Sequence, residues 1–337
     1  MENIFTPEKL SQFNQTCQNS ERIAIVAHTN PDGDAVGSSL ALYHFLVAKY
    51  PQKHVRVIVP NNFPDDLKFI DPQSHIEVYM EMIKEAQAFL AACDAIICVD
   101  FNQISRLDQM GEAIEMNLHA TRILIDHHID PPHYDLAFHY SRSSSAAFLV
   151  YGLIVGLGGV EALTPEIASA LYLGIMTDTG GFSFSLLDGE LFRSVATLVD
   201  CGADPVYIRQ MVFDRQSEDR LRMVGYLLSQ KMVIHSNKGA AYITLTNQEK
   251  LEFNHQIGDT EGVVNMPLTI GGITFSAIMI QTKDYIKLSL RSQGDCDVNV
   301  LARDNFSGGG HKNAAGGKYY GSMEQCVEFI ERLISEF

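Results

Sequence analysis

Histidine and aspartate residues that could bind metal ions stand at the ends of four apolar runs of the chain. These residues lie in His28-Thr29-Asn30-Pro31-Asp32-Gly33-Asp34, at Asp100, in Asp126-His127-His128 and at Asp178. The runs that precede them are Ile23–Ala27, Ala95–Val99, Ile123–Ile125 and Leu171–Met176. Oxygen and imidazole ligands without thiolate favour manganese or magnesium over structural zinc. The pattern therefore predicts a centre that binds divalent cations.

The position of these residues after apolar runs predicts where the centre lies. In open parallel α/β sheets, ligands bind beyond the carboxyl ends of the strands. Four such ends in register would bring together His28, Asp32, Asp34, Asp100, His127 and Asp178. Carboxylates this close repel one another unless cations neutralise them. Two divalent cations ~3.5–4 Å apart suit in-line phosphoryl displacement, so the predicted reaction is phosphoester hydrolysis.

Apolar runs alternate with helical periodicity through the first half of the chain, which predicts βαβ units and a doubly wound parallel sheet. Thr164-Pro165-Glu166 begins a further predicted helix, residues 164–176, that brings Asp178 to the centre. Helices without strands follow, and after them come β-rich runs, a glycine-rich loop (Ser307 to Gly317) and a last helix. We therefore expect an α/β protein with a metal-binding catalytic domain (1–190), a helical connector (191–228) and a smaller α+β domain (229–337). The active site is expected in the cleft between the domains.

Composition and charge narrow the class of protein. Of the 337 residues, 46% are hydrophobic and 20% are charged, which is typical of a globular protein rather than a disordered one. The six cysteines include no C-x-x-C pair, so reduced thiols are expected rather than a disulfide framework. The net charge of −16, without a lysine or arginine tract, disfavours binding to long duplex nucleic acid. No signal peptide or membrane span is expected, which predicts a cytoplasmic protein.

Two segments outside the metal motifs could contact phosphate. Ser143-Ser144-Ser145 predicts a helix N-cap, with a phosphate at that helix N-terminus as the minority alternative. In the second segment, the glycines around His311 can bring backbone N–H groups close to an anion, although a glycine-rich hairpin is an equal alternative. Arg291 ends a nearby predicted strand and could grip phosphate with its planar fork. The residues predicted to bind a non-reacting phosphate of the substrate are Arg291, Gly309, Gly310, His311 and Lys312.

Taken together, the motifs resemble those of the DHH phosphoesterase superfamily. The resemblance rests on His28-x-x-x-Asp32-x-Asp34, Asp100, Asp126-His127-His128 and Asp178, in this order. The glycine-rich segment Gly308–Gly317 is similar to the signature of the DHH-associated C-terminal domain. The resemblance covers nearly the whole chain and is strongest for the nanoRNase and pAp-phosphatase subfamily, through residues 258–265 and 287–292.

The resemblance implies a role for each residue of the centre. The ligands of one cation would be His28, Asp32 and Asp100, and those of the other Asp34, Asp100, His127 and Asp178, with Asp100 as the bridge. Asp126 would orient a ligating histidine. His128 would touch the scissile phosphate or help the leaving oxygen depart. Manganese is the expected cation, with magnesium as the alternative.

The resulting hypothesis is a manganese-dependent phosphoesterase that cleaves very short RNA (nanoRNA) and 3′-phosphoadenosine 5′-phosphate (pAp) to mononucleotides. The alternatives are a cyclic-dinucleotide or pApA phosphodiesterase, an exopolyphosphatase or pyrophosphatase, and a nucleotide-binding module without catalysis. The presence of every expected metal ligand disfavours the last of these. The expected partner is short single-stranded RNA or a small phosphorylated nucleotide, not a membrane, and the sequence leaves a homodimer open.

Overall fold

The computed structural model of the protein describes residues 4–183 and 186–336. Contacts between residues divide the chain into unit 1 (Met1–Arg215) and unit 2 (Gln216–Phe337). The boundary between the units falls inside the segment 191–228 that the sequence predicts as a connector. Within the described ranges, no helix is both long and apolar enough to cross a membrane.

Unit 1 alternates strands and helices over most of its length. Its helices are α1 (Pro7–Asn19), α2 (Gly33–Lys49), α3 (Ile83–Ala91), α4 (Gln109–Met116), α5 (Ala146–Gly158), α6 (Pro165–Asp178), α7 (Gly189–Asp200) and α8 (Pro205–Arg209). Its strands are β1 (Arg22–Val26), β2 (His54–Val59), β3 (Ile76–Val78), β4 (Ala95–Val99), β5 (Thr121–Asp126) and β6 (Leu136–His139).

The sheet of unit 1 is parallel throughout, in the order β3-β2-β1-β4-β5-β6. The chain runs outward from β1 to β3 and then returns to β4 on the other side of β1. Val26 of β1 is in register with Cys98 of β4, so both strands end at the same edge of the sheet. A reversal of strand order at such an edge leaves a crevice for ligands. This topology confirms the predicted doubly wound parallel sheet.

Helices cover both faces of the sheet. Ile23 and Ile25 of β1 pack into the core formed with α2, α5 and α6, whereas Ala24 and Val26 pack with α3 and α4, because successive side chains of a strand alternate between faces. The start of α2 and the end of α6 are in close contact at Gly33, where an added Cβ atom would overlap the side chain of Thr177. This contact holds the neighbouring residues of the two helices at the same edge of the sheet.

One of the four apolar runs differs from the others. Leu171–Met176 is helical and lies in α6, which begins after the N-cap Thr164. The interpretation of this run as a strand end is therefore wrong, whereas the helix predicted for 164–176 is confirmed. A short run that is apolar on all sides has no periodicity by which to distinguish a buried helix from a buried strand.

Unit 2 contains a second six-stranded sheet, in the order β11-β12-β10-β9-β8-β7. Its strands are β7 (Val233–His235), β8 (Ala240–Leu245), β9 (Phe275–Gln281), β10 (Ile286–Ser292), β11 (Gly309–His311) and β12 (Ala314–Tyr319). Its helices are α9 (Glu218–Tyr226), α10 (Asn247–Glu252), α11 (Val298–Asn305) and α12 (Met323–Ser335). Among the described strands of this second sheet, only the β8–β9 pair is parallel. Helices α11 and α12 pack on one face, which confirms the predicted α+β class.

The glycine-rich segment is not a loop. Residues on either side of Lys312-Asn313 form the antiparallel strands β11 and β12, so the prediction of a loop from Ser307 to Gly317 is wrong. Glycine is required where the chain packs closely, because a Cβ atom at Gly308 would overlap the carbonyl oxygen of Gly316. The segment is therefore a glycine-rich hairpin, which the sequence analysis gives as an alternative.

Candidate metal centre

Asp100 lies at the middle of the centre. It follows β4 with a φ of +62°, a left-handed conformation that a non-glycine residue keeps only where the surrounding structure enforces it. Its N–H donates to the carbonyl of Ile125 on the neighbouring strand β5 at 3.1 Å. Its carboxylate oxygens face different histidines, with Oδ2 3.4 Å from His28 Nε2 and Oδ1 3.5 Å from His127 Nε2. One carboxylate therefore joins two groups of side chains.

The first group contains His28, Asp32 and Asp100. Asp32 is the N-cap of α2, and its Oδ1 accepts hydrogen bonds from the N–H groups of Asp34 (3.0 Å) and Ala35 (3.1 Å). Its other oxygen, Oδ2, lies 3.9 Å from His28 Nε2. One oxygen of Asp32 thus fixes the side chain on the helix end while the other faces the group.

The second group contains Asp34, Asp100, His127 and Asp178. The Nε2 atom of His127 lies 3.6 Å from Asp178 Oδ2 and 3.9 Å from Asp34 Oδ2. Asp178 is the last residue of α6, and the contact between α2 and α6 places it near Asp34. The structure thus brings together all six predicted metal ligands, five from residues after strands or at the start of α2 and one from the end of a helix.

The carboxylate of Asp34 also binds the N-terminus of α5. It accepts hydrogen bonds from the backbone N–H groups of Ala146 at 2.6 Å and Ala147 at 2.8 Å. Ser145 caps the same helix by accepting from Phe148 N–H at 3.0 Å, as the sequence predicts. The alternative of a phosphate at this N-terminus is therefore wrong, because a side chain of the protein already occupies the two amides.

Backbone carbonyls orient the two histidines of these groups. His28 Nδ1 lies 2.9 Å from the carbonyl oxygen of Thr29, and His127 Nδ1 lies 3.2 Å from that of Ser143. A carbonyl oxygen can only accept, so each Nδ1 carries a hydrogen, and Nε2 is the ring atom that faces the carboxylates. This arrangement is typical of histidines that bind metal ions.

The crowding of charges shifts the pKa values of the centre. Burial, reinforced by Asp100 and Asp178, raises the pKa of Asp34 well above its usual range. Burial acts to lower the pKa of His127, but the hydrogen bond with Asp100 and the nearby carboxylates outweigh it and raise that pKa well above its usual value. Burial acts to raise the pKa of Asp100, yet its hydrogen bonds with His127 and His28 hold it well below the usual range. The carboxylates thus attract positive charge, which a proton or a metal ion can supply.

A third set of contacts surrounds His128. Asp126 is fully buried, and its Oδ1 accepts from His128 Nδ1 at 2.7 Å. The family resemblance implies that Asp126 orients a metal-binding histidine, whereas this hydrogen bond goes to His128. Sequence reasoning missed both Arg106, whose Nη1 lies 2.9 Å from His128 Nε2, and His139, whose Nε2 donates to the His128 carbonyl at 2.6 Å. His139 is in register with Asp126 on β6, a four-residue edge strand that gives almost no sequence signal.

The residues predicted to bind substrate lie close together within unit 2. Arg291 on β10 and His311 on β11 are both in register with Ala314 of β12, so they belong to one row of the sheet and share a face. Lys312 extends its ammonium to 3.0 Å from Asp295. The N–H of Gly310 donates to Asn299 Oδ1 at 2.9 Å, and that amide is therefore committed within unit 2. Phosphate binding by these residues stays a prediction.

Comparison with known proteins agrees with this geometry. A model of the DHH family, N-terminal domain, matches residues 22–175, and the DHHA1 domain matches residues 238–336. The chain belongs to the DHH family. The bifunctional oligoribonuclease and PAP phosphatase NrnA of Thermus thermophilus is 28% identical, over 93% of this chain and 89% of that protein. The protein of the same name from Bacillus subtilis is 27% identical, over 94% and 96%.

A solved structure is similar over both units. The crystal structure of an exopolyphosphatase-related protein from Bacteroides fragilis has a TM-score of 0.92 and 38% sequence identity. The match covers 98% of this chain and 96% of that one. The two family models confirm the resemblance to the DHH family seen in the motifs.

The donor set of this DHH-family centre fits two divalent cations. In the group of His28, Asp32 and Asp100, one ligand atom from each residue lies within 4.8 Å of the others, and the same holds for Asp34, Asp100 and His127. Carboxylate oxygens with one imidazole nitrogen in each group suit manganese or magnesium. The position of Asp100 in both groups is what a bridging ligand requires.

Proposed function

We propose that this protein is a two-metal phosphoesterase that hydrolyses very short RNA and pAp to mononucleotides, with manganese as its cation. The observation that carries the proposal is the position of Asp100, whose two carboxylate oxygens face His28 and His127. The NrnA relatives support the substrate class, because their names combine oligoribonuclease and PAP phosphatase activities.

Backbone groups fix the residues of unit 1 that would hold the cations. When bound, two such cations lower the pKa of a water molecule and neutralise the oxygens of the reacting phosphate. Asp32 and Asp34 are already fixed by backbone N–H groups, and His28 and His127 by backbone carbonyls. Ligands held in this way keep their geometry during reaction, which is the basis of electrostatic preorganisation.

The residues of unit 2 would bind a second phosphate of the substrate. Both pAp and a 5′-phosphorylated dinucleotide carry a phosphate besides the one that reacts. Arg291 and His311, which share one row of the sheet, offer an arginine fork and an imidazole to that group. Binding energy at this phosphate would orient the scissile bond, an effect that suits small substrates.

A second candidate function is hydrolysis of polyphosphate. The observation that favours it is the name of the Bacteroides fragilis relative, an exopolyphosphatase-related protein, at 38% identity. The net charge of −16 disfavours it, because a long polyanion is repelled by a strongly acidic protein.

Turnover on a panel of substrates separates these functions. With manganese present, we expect hydrolysis of pAp and of RNA dimers to pentamers, and much slower hydrolysis of cyclic di-AMP and polyphosphate. The same assay with magnesium in place of manganese is the matched comparison. Chelation of the cation should abolish turnover. Preferred cleavage of polyphosphate would replace the proposal with the second candidate. Preferred cleavage of cyclic di-AMP, or of pApA over pAp and all other short RNA, would assign the protein to the dinucleotide phosphodiesterases.

Two expectations from the sequence stay predictions. The first is a cytoplasmic location, which fractionation of the source cells would test. The second is a homodimer, which the mass measured by light scattering during size-exclusion chromatography would test.

A further inference from the structure

Two hydrogen bonds define the state of the His128 side chain. Its Nδ1 lies 2.7 Å from Oδ1 of the buried Asp126, which as a carboxylate can only accept. Its Nε2 lies 2.9 Å from Nη1 of Arg106, which as a guanidinium can only donate. The imidazole therefore carries its hydrogen on Nδ1 and accepts at Nε2. In this arrangement His128 has no proton at Nε2 to give to a leaving oxygen.

Arg106 is tied to both histidine motifs of unit 1. It lies in a short helical turn, Ile104–Leu107, just after β4. Its carbonyl oxygen accepts from the N–H of Thr29 at 2.8 Å, next to His28. Its side chain contacts His128, so the guanidinium belongs to the edge of the metal centre.

The charge of Arg106 is not balanced by a carboxylate. The residue is half-buried and contacts His128, which is bound to Asp126, yet the ion pairs among the described residues include none with its guanidinium. Arg56, also half-buried, is by contrast paired with Glu77. A guanidinium has five N–H donors, and an imidazole takes only one of them. The remaining donors of Arg106 suit an anion that comes from outside the protein.

We propose that Arg106 is a catalytic residue that contacts the non-bridging oxygens of the reacting phosphate, and that His128 is the positioning residue that holds its guanidinium. The inference rests on the proposed phosphoesterase function and assigns a third source of positive charge beside the two cations. Asp126 fixes His128, and His128 fixes Arg106, so the three residues form one chain of hydrogen bonds. Preorganised donors of this kind stabilise the charge that develops in the transition state.

The main test is the loss of activity in Arg106→Gln with manganese and pAp. We expect kcat to fall roughly 100- to 1000-fold, with a smaller change in KM and an unchanged manganese content. Arg106→Lys, which keeps the charge, should recover part of that loss. The matched control is Arg122→Gln, which removes another half-buried arginine of unit 1, whose guanidinium donates to the backbone carbonyls of Ile114 in α4 and of Asn117 just after it. A loss below about threefold in Arg106→Gln, or an equal loss in the control, would overturn the assignment.

Two further measurements separate positioning by His128 from proton donation. His128→Ala combined with Arg106→Gln should be no more than about threefold worse than Arg106→Gln alone, because residues that act as a unit are not additive. On an aryl phosphate with a nitrophenolate leaving group, which needs no proton, His128→Ala should lose as much as on pAp. The positioning role is rejected if the losses of activity of the two single variants multiply in the double variant. It is also rejected if His128→Ala stays active on the aryl ester but not on pAp.

Binding of inorganic phosphate tests Arg106 independently of turnover. Isothermal calorimetry of the manganese-loaded protein should show at least about tenfold weaker phosphate binding in Arg106→Gln than in the wild-type protein. Equal affinity, or no binding by the wild-type protein, would count against Arg106. If the wild-type protein binds phosphate through Arg106 but hydrolyses neither pAp nor short RNA, the proposed substrate class fails while the assignment of Arg106 stands.

Discussion

Asp34 in unit 1 and Glu249 in unit 2 are both buried carboxyl groups, exposed by only 1% and 8%, but their surroundings differ. Burial, together with the carboxylate of Asp100, raises the pKa of Asp34 well above its usual range. Burial also acts to raise the pKa of Glu249, but the ammonium of Lys231 and other hydrogen bonds outweigh it and lower that pKa to about 2. The energetic cost of burying a carboxylate is therefore compensated at Glu249 and left uncompensated at Asp34.

The contacts of the two groups explain the difference. Glu249 Oε1 accepts from the Lys231 ammonium and the Tyr226 hydroxyl, each at 2.8 Å, and Oε2 accepts from the Thr246 N–H at 2.8 Å. Asp34 accepts from two amides but faces other carboxylates. Glu249 thus has its cation in the chain, whereas Asp34 depends on a cation that binds from solution.

The largest effect expected from this comparison is that of Asp100→Asn. Asparagine tolerates the left-handed backbone at this position, so the substitution removes the charge of the bridge and keeps the fold. We expect kcat/KM to fall by at least about 1000-fold, or about 4 kcal/mol, and manganese content to fall with it. Steady-state kinetics and elemental analysis measure these quantities.

The control for Asp100→Asn is Asp94→Asn. Asp94 lies just before β4, at the opposite edge of the same sheet, and accepts from the N–H groups of Glu21 and Arg22. Activity and metal content of this variant should match those of the wild-type protein. Full turnover in Asp100→Asn would remove the two-metal assignment.

Arg291→Ala extends the comparison to unit 2. If Arg291 binds a phosphate that does not react, its loss should reduce kcat/KM for pAp by roughly 30- to 1000-fold, or about 2–4 kcal/mol. A chromogenic monoester with a single phosphate should lose far less, and metal content should not change. Lys287→Ala, an exposed residue of the same strand, is the matched control. Equal losses on both substrates would show that Arg291 serves the reacting centre or the fold.

Metal removal should distinguish the two units by stability. At a free cation concentration 100 times the dissociation constant, binding stabilises the folded state by about 2.7 kcal/mol. Hydrogen exchange with manganese and after chelation should show this difference at amides of unit 1 and little change around Glu249 in unit 2. Equal changes in the two units would contradict the comparison.

The smallest expected effect is that of Glu249→Gln, a loss of about 1–3 kcal/mol in the free energy of unfolding at neutral pH. The pKa of Glu249 is lower in the folded protein (about 2) than its ordinary value of 4.5. Its contribution is therefore complete above about pH 4.5 and disappears as the pH falls towards 2. Urea unfolding of both proteins at pH 7 and pH 3 measures the difference, which should narrow at the lower pH. A constant difference would show that the charge of Glu249 is not responsible.

The sequence predicts the metal ligands well because they follow strands whose apolar character is strong. The runs that become β1, β4 and β5 are buried on both faces, and a polar residue at the end of such a run marks the edge of the sheet. Asp178 follows a run, Leu171–Met176, that the sequence predicts both as a strand end and as part of a helix. In the structure the helix is correct.

The residues around His128 could not be predicted in the same way. Arg106 reaches the centre through a turn between β4 and α4, and its contact with His128 joins residues 22 positions apart in the chain. No periodicity or motif marks such a contact. The edge strands β3 and β6 have three and four residues, too few to show an alternating pattern. The hairpin of β11 and β12 is rich in glycine, which is uncommon in strands and indicates a loop.

The hydrogen bonds from the Ala146 and Ala147 amides to Asp34 make cation binding at this carboxylate observable by NMR. The strength of a hydrogen bond to a carboxylate changes when that carboxylate shares its charge with a cation, and the amide proton resonance moves with it. The two backbone amides at the start of α5 are thus natural spectroscopic probes of occupancy at Asp34. A titration with diamagnetic magnesium, followed by NMR of ¹⁵N-labelled protein, would report site filling directly, without substrate and without turnover.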